Sequence, residues 1–443
     1  MKILVIGASR SGKSAAILAR KHKYEVFITE FQPKEKFANT IDDFEKHSID
    51  FEFGGHSLRG LNKYDLAVAS PGIPRNAEII LELQKNNVKI ISEVEFAYQF
   101  CKNPIIAITG TNGKTTTTSL VTHILNESGK KAVSAGNIGR AFSEIVLDLD
   151  NQTIVSLEVS SFQLDRIDKF HPNIAVITNI TPDHLDYHGT MEDYVNTKWK
   201  ICSNQIEKDL LILNYDNEYL NKNCLSKSKV QYFSLNELRG GAFVRDGVII
   251  LDTQHKEEEI MPISQIGIKG QHNLYNSLAA ILATRSFEIT NENYRSALSS
   301  FSGVEHRLEF VRSIRGVQFY NDSKATNVNS TWYALNSFNN RIIWIAGGRG
   351  DNNDYSVLDS SVRKFVKSII CIGEEANNIY THFSTIAPCS KYDTLEEAVY
   401  AALIESNEGD IVLFSPACKS FDMFANFEHR GEVFKQIVNK LPD

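Results

Sequence analysis

The sequence predicts an α/β protein built from three successive domains, and three observations lead there. The chain has 443 residues, close to three times a typical domain of about 150 residues. A strand, a glycine turn and a helix follow one another over 3–22 and again over 104–126. Short apolar runs that stop in Gly or Pro turns recur as far as Ile411–Phe414, which ends in Ser415-Pro-Ala-Cys418.

In the first domain, Ile3–Ile6 reads as a strand, Gly7–Gly12 as the turn and Lys13–His22 as a helix. Glu25–Glu30 and Leu66–Ala69 are further strands, the latter stopped by Ser70-Pro-Gly-Ile73. Arg75–Asn86 has helical periodicity, with Ile79, Ile80 and Leu83 on one face. The pattern restarts near Glu93. The second domain opens on a strand at Pro104–Thr109, a second glycine loop and a helix through Asn126. Thr153–Glu158, Ile174–Asn179 and Leu210–Asn214 read as strands, and Met191–Ser203 and Asn273–Phe287 as helices. Residues 230–268 read as short strands around an Arg245-Asp-Gly turn. From Ser302 the rhythm resumes: strand Gln318–Tyr320, helix Asn327–Ser337, and strand Ile342–Ala346 before Gly347-Gly348.

Apolar residues at 42% and charged residues at 23% suit a globular protein. A net charge of −7 argues against nucleic-acid binding, which depends on neutralising phosphates. The six cysteines (Cys101, Cys202, Cys224, Cys371, Cys389 and Cys418) make no C-x-x-C pair, which fits reduced thiols and a cytoplasmic setting. No apolar run is long enough to span a bilayer, and the N-terminus enters a strand rather than a signal-peptide core.

Two Gly-Lys-Ser/Thr loops compete for a phosphate ligand. Gly7-Ala-Ser-Arg-Ser-Gly-Lys-Ser14 matches G-x-x-x-x-G-K-S letter for letter. It also has a dinucleotide-type context, since Glu30 closes the next strand, although Ser9 replaces the middle glycine of G-x-G-x-x-G. An ATP loop, a Rossmann-like nucleotide site and a ligand-free tight turn all remain open for it. Gly110-Thr-Asn-Gly-Lys-Thr115 is two residues shorter, yet metal-binding residue types follow it. These are the hydroxyls of Thr115 to Thr118, a carboxylate at the strand end, Glu158, and Asp183, His184 and Asp186 in Asn179–Asp186.

Eight segments recur in a characteristic order: Gly110–Thr117, Gly136-Asn-Ile-Gly139, Leu157–Gln163, Asn179–Asp186, Gly270-Gln-His-Asn273, His306-Arg307, Asn321–Thr326 and Ser415–Gly431. Over essentially its whole length the chain resembles the Mur ligases, the ATP-dependent amide-forming family of peptidoglycan synthesis. Asn112, where L-alanine-adding relatives usually carry His, and the final block are similar to the D-glutamate-adding branch. The resemblance implies a Rossmann-like UDP-sugar-binding domain (1–93), a P-loop ATPase-like ATP-binding domain (94–301) and a Rossmann-like amino-acid-binding domain (302–443).

It further implies that Gly110, Thr111, Asn112, Gly113, Lys114, Thr115 and Thr116 hold ATP, with Lys114 on the β/γ-phosphates. Asn273, Arg307, Asp322 and Lys324 would complete the ATP site. Thr115, Glu158 and His184 would ligate Mg²⁺, two ions in all, with Lys198 carrying a CO₂-derived carbamate that turns a repelled ammonium into an anionic ligand. Lys114, Glu158, His184 and Lys198 are thus the expected catalytic residues. Arg10, Ser11, Glu30, Ser70, Gly72, Asn137 and Ser160 would bind UDP-N-acetylmuramoyl-L-alanine, and Thr326, Ser420 and Phe427 the incoming D-glutamate. The chain departs from the family at Asp351, where lysine is usual, leaving Arg349 or Lys419 to meet the substrate carboxylate, and at Glu305, where proline is frequent. The expected enzyme is a cytoplasmic monomer without nucleic-acid or membrane partners; the alternative is a related Mur-type ligase using another amino acid, such as L-glutamate. A folylpolyglutamate synthase would lack the 93-residue leader. An NAD-dependent oxidoreductase built on the first loop would leave Lys114, Glu158 and Arg307 without a role. A non-catalytic ATP-binding switch would bind ATP without turning it over.

Overall fold

The computed structural model describes residues 1–221, 226–253, 256–350 and 353–442. It is an α/β chain with three parallel-rich sheets, divided into two compact units, Met1–Phe301 and Ser302–Asp443. Asp351, Cys224 and the side chain of Asp186 lie outside the described residues.

The first sheet contains β1 (Lys2–Ile6), β2 (Glu25–Glu30), β3 (Asp50–Phe53), β4 (Leu66–Ala69) and β5 (Lys89–Ser92), all parallel, in the order β3-β2-β1-β4-β5. The order reverses between β1 and β4, so a crevice opens at their carboxyl ends, where open α/β sheets bind ligands. Gly7 follows β1 and Ser70 follows β4, one on each side of that crevice. The helix after β1 spans Arg10–Lys21, three residues earlier than its apolar pattern suggests, because Ser9 is already an extended N-cap and Gly12 lies inside the first turn. A Cβ on Gly12 would stand 1.8 Å from the Gly7 carbonyl oxygen. The second glycine of this loop is therefore required by the turn's own packing.

The second sheet adds β6 (Ile105–Thr109), β7 (Ala132–Gly136), β8 (Ile154–Glu158), β9 (Ile174–Ile177), β10 (Leu210–Asn214), β11 (Lys229–Phe233), β12 (Gly241–Arg245), β13 (Val248–Asp252) and β14 (Glu257–Pro262). Its order is β14-β13-β12-β11-β10-β9-β6-β8-β7, and only β12-β13 and β13-β14 are antiparallel among its pairings. Asp246 and Gly247 turn β12 into β13 with φ of 49° and 74°, as a tight hairpin demands. One apolar core runs beneath both sheets, from Ile3 and Val5 through Phe96 and Phe142 to Leu157 and Ile177. The helix expected over 191–203 is α-helical at Met191–Trp199 and tightens to a 3₁₀ turn at Lys200–Cys202.

The second unit holds β15 (Glu309–Ile314), β16 (Val317–Asn321), β17 (Ile342–Gly347), β18 (Val366–Ile372), β19 (Cys389–Lys391) and β20 (Ile411–Phe414), in the order β15-β16-β20-β17-β18-β19. β17 and β20 are buried on both faces, so they read as unbroken apolar runs. Ile343, Ile345, Val412 and Phe414 face one core, and Ile342, Trp344, Ile411 and Leu413 the other. The Trp344 indole N–H donates to the Ser415 carbonyl at 2.7 Å, which satisfies its one polar atom inside that core. Among the described residues, no helix is long and apolar enough to cross a membrane.

The Gly12 contact predicts that Gly12→Ala destabilises the protein by about 1–3 kcal/mol or more, the usual scale of overpacking. A thermal melt that left the midpoint unchanged would refute the packing argument.

Candidate functional site

The site is built around the loop Gly110–Gly113, which joins β6 to the helix Lys114–Glu127. Gly110 has φ +145°, and a Cβ there would lie 1.9 Å from the Thr178 hydroxyl oxygen, so glycine is obligatory. The loop is clamped from the carboxyl end of β9. Thr111 N–H donates to the Asn179 carbonyl at 2.9 Å, and Asn112 N–H to Asn179 Oδ1 at 2.9 Å. The Asn112 carbonyl in turn accepts from Thr178 Oγ1 at 2.6 Å and Asn179 Nδ2 at 3.0 Å. Thr111 Oγ1 meets the Tyr194 hydroxyl at 3.0 Å.

Two lysines converge on this loop. Lys114 Nζ donates to the carbonyls of Gly110 at 2.9 Å and Thr111 at 2.8 Å. Lys198 Nζ donates to the same Gly110 carbonyl at 2.8 Å and lies 4.6 Å from the centroid of the Tyr194 ring. Lys198 is 1% exposed. Burial first, and then the neighbouring Lys114 charge, hold its pKa well below the ordinary lysine value, while Asp183 pulls weakly the other way. Thr115 and Thr116 are buried in the first helical turn.

Glu158 ends β8, beside β6. Ser156, two residues earlier on the same face, donates to the Thr118 carbonyl at 3.0 Å, so this face of β8 lies against the helix Lys114–Glu127. Glu158 is 2% exposed. Its Oε1 accepts from Asn137 Nδ2 at 2.9 Å, and its buried Oε2 has no hydrogen-bond partner among the described residues. A carboxylate oxygen left unpaired in a buried site is costly unless a cation meets it, so the donor set here fits a divalent ion. His184 has φ +52°, packs its ring 4.8 Å from that of Phe162, and keeps Nε2 3.5 Å from Asp183.

Sequence reasoning missed Asn276. Its Oδ1 accepts from Thr117 Oγ1 at 3.2 Å and lies 2.3 Å from where a Gly113 Cβ would stand. Its Nδ2 donates to Asn273 Oδ1 at 3.1 Å. The signal was the second Asn one helical turn after Asn273.

The first loop is organised differently. Glu30 accepts from Ala8 N–H at 2.7 Å and Gln32 N–H at 2.9 Å, so it clamps the turn from within. Lys13 pairs with Asp43 at 3.0 Å. Ser70 and Gly72 stand at the mouth of the same crevice, with Ser70 Oγ 3.5 Å from the Gly7 carbonyl, and Arg10 and Ser11 open the adjoining helix. Asn137 stands at Glu158, while Ser160 caps the helix Ser161–Asp165 in a capping box with Gln163.

In the second unit, Asp322 accepts from Leu308 N–H at 3.2 Å and Ser415 Oγ at 2.7 Å, with Arg307 contributing favourable charge. Burial nevertheless pushes its carboxyl up to about 7. Lys324 Nζ lies 5.6 Å from the Phe427 ring centroid. Thr326 follows on the same loop, and Ser420 is buried. Arg349 is held in a two-point pair with Glu374, at 3.0 and 2.8 Å. The buried Arg430, which the residue-by-residue reading passed over, spends its guanidinium on Ser323 and the Cys418 carbonyl.

A glycine–lysine loop at the carboxyl edge of a parallel sheet, backed by a buried lysine and a half-satisfied carboxylate, defines a phosphate-binding α/β protein. Residues 108–284 match the Mur ligase middle domain, and residues 306–418 the Mur ligase glutamate ligase domain. The chain is 42% identical to the UDP-N-acetylmuramoylalanine–D-glutamate ligase of Salinibacter ruber, over 99% of this chain and 97% of that one. It is 40% identical to the enzyme of the same name from Bacteroides fragilis, over 99% and 100%. Among solved structures it resembles the UDP-N-acetylmuramate-alanine ligase of Thermotoga maritima, with a TM-score of 0.62 at 19% identity over 99% of both chains. The chain belongs to the Mur ligase family.

Asp322 holds its proton more tightly in the folded state than in the unfolded one. Its contribution to stability is therefore greatest at low pH and declines as pH rises from the ordinary 3.8 to about 7. Asp322→Asn is expected to remove that part of the slope in chemical denaturation run across this window; an unchanged slope would contradict it.

Proposed function

We propose that the protein is an ATP-dependent ligase that joins D-glutamate to the alanine carboxylate of UDP-N-acetylmuramoyl-L-alanine, releasing ADP and phosphate. The observation that carries this reading is the convergence of Lys114 and Lys198 on the Gly110 carbonyl at the end of β6, with Glu158 at the end of the neighbouring β8 keeping an Oε2 that has no hydrogen-bond partner among the described residues. Full-length identity to enzymes that bear that name supports the choice of substrates. A Thermotoga maritima relative solved with ADP supports nucleotide use.

The alanine carboxylate attacks the γ-phosphorus of ATP. A P–O bond to the substrate forms as the bond to ADP breaks, giving an acyl phosphate. Two anions must approach, so Lys114 and the N–H groups at the start of the helix Lys114–Glu127 supply the stabilising field. The amine of glutamate then attacks the acyl carbon; an amide forms, phosphate leaves, and the amine gives up a proton. His184, in the loop after β9, would orient that amine. Arg307, Asp322 and Lys324 would complete the nucleotide site, and Thr326, Ser420 and Phe427 the glutamate site. The crevice between Gly7 and Ser70, with Arg10, Ser11 and Gly72, would take the uridine diphosphate, and Asn137 and Ser160 the muramoyl-alanine end.

Thr115, Glu158 and His184 would hold Mg²⁺, which neutralises phosphate charge when bound. Lys198 would join them as a carbamate. A buried amine facing a second lysine is disfavoured as an ammonium; its free base adds CO₂ and loses one proton, and the resulting carbamate is an anion suited to a cationic setting. The reading also places the enzyme in the cytoplasm, where its nucleotide co-substrate is held.

Phosphate release should require both UDP-N-acetylmuramoyl-L-alanine and an amino acid, with D-glutamate preferred over L-glutamate. Preference for L-glutamate would favour the related Mur-type ligase, and no release with any amino acid would sink the reading. Protein equilibrated with carbon-13 bicarbonate should give a carbamate resonance that Lys198→Gln lacks. The same resonance in both proteins would place the modification elsewhere.

A further inference from the structure

Arg75 lies in the loop after β4, five residues beyond Ser70, and outside the helix Glu78–Lys85 into which its periodicity would draw it. It reaches across to two helices associated with the central sheet. Nε and Nη2 donate to the two carboxylate oxygens of Asp165 at 2.8 and 2.6 Å, and Nη1 donates to Asp193 at 2.5 Å. All three are charge-assisted, and the two to Asp165 form the parallel fork that only a guanidinium can make. Its guanidinium carbon also lies 5.4 Å from the Tyr187 ring centroid. A second tie runs the other way: Arg166 Nη2 donates to the Ile73 carbonyl at 3.1 Å. The loop that carries Ser70 and Gly72 is thus fastened at both Ile73 and Arg75.

The two anchors bear on the chemistry. Asp165 closes the helix Ser161–Asp165, whose N-cap Ser160 is two residues from Glu158. Asp193 lies in the first turn of the helix Met191–Trp199, which carries Lys198. Asp193 also sits 3.7 Å from Nδ1 of the buried His188, whose Nε2 meets Ser161 Oγ at 3.1 Å. His188 Nδ1 has no hydrogen-bond partner among the described residues. Neither a core-packing role nor a surface ion pair requires one arginine to bind both of these helices from a loop of the first sheet.

We infer that Arg75 is a positioning residue for the ligase reaction. It fixes the nucleotide-sugar loop of the first sheet against the helices of Ser160 and Lys198, so that the acceptor carboxylate is presented at the Gly110 loop. The inference rests on the function proposed above. It concerns the acceptor alone, because Arg75 has no contact with the Gly110–Gly113 loop among the interactions described.

The test is steady-state kinetics on Arg75→Ala, Arg75→Lys and Asp193→Asn, with ADP affinity measured by calorimetry on the same samples. Misplacement on the ångström scale costs about 10- to 100-fold in rate. Arg75→Ala should lose about that factor in kcat/KM for UDP-N-acetylmuramoyl-L-alanine, while ADP affinity stays within about twofold. Arg75→Lys should restore little, since an ammonium cannot make the fork. Asp193→Asn keeps the Asp165 fork, so it should fold even if Arg75→Ala does not, and should show a smaller loss of the same kind. Pairing it with Arg75→Ala should add nothing further. An unchanged acceptor kcat/KM, full rescue by lysine, or an equal fall in ADP affinity would overturn the inference while leaving the ligase reading intact. A wild-type protein with no acceptor-dependent phosphate release would overturn both.

Discussion

The carbonyl oxygen of Gly110 is the point on which the site depends. It accepts from both Lys114 Nζ and Lys198 Nζ. A second positive charge beside Lys114 in this buried setting is disfavoured, first by burial and then by repulsion, so Lys198 is pushed toward its neutral form. The loop is clamped from two sides: Thr178 and Asn179 donate to the Asn112 carbonyl, and the Tyr194 hydroxyl meets the Thr111 hydroxyl. Such a site is relieved by anions. Triphosphate would supply them above the helix N-terminus, and a carbamate on Lys198 would add another.

The same logic separates the two Gly-Lys loops. Both follow a strand and open a helix. In the first, Lys13 is paired with Asp43, and the acid at the end of β2 is engaged by backbone N–H groups of the loops that follow β1 and β2. In the second, both lysines are turned onto the loop itself. The letter-perfect pattern describes a turn whose glycines are needed for packing, since Gly12 has no room for a Cβ beside Gly7. The shorter pattern describes a loop on which two lysines converge.

Much of this was legible in the sequence because it is local. The Asp246-Gly247 turn, the apolar runs of β17 and β20, and the shortened loop before Lys114 each declare themselves within a few residues. Edge strands such as β3 and β19 were missed, because a half-exposed strand carries no continuous apolar run. Glu158 was legible as a carboxylate closing a strand, whereas Lys198 reads in isolation as a surface helix lysine and only the resemblance singles it out; the structure buries both. Contacts between distant positions stayed hidden. Arg75 meets partners 90 and 118 residues away, and nothing in the spacing announces them. Arg349, a candidate alongside Lys419 for a substrate carboxylate, makes a two-point pair with Glu374, another contact that spacing does not announce.

On the proposed function, the imperfect loop, and not the perfect one, holds ATP. Titrating ADP with Mg²⁺ into Lys114→Ala and Lys13→Ala, each confirmed as folded, tests it most directly. The account predicts that Lys114→Ala loses most of its affinity, since a charge-assisted contact to phosphate is worth about 1.5–3 kcal/mol, while Lys13→Ala binds as the wild type does. Loss of binding in Lys13→Ala with Lys114→Ala unaffected would contradict it.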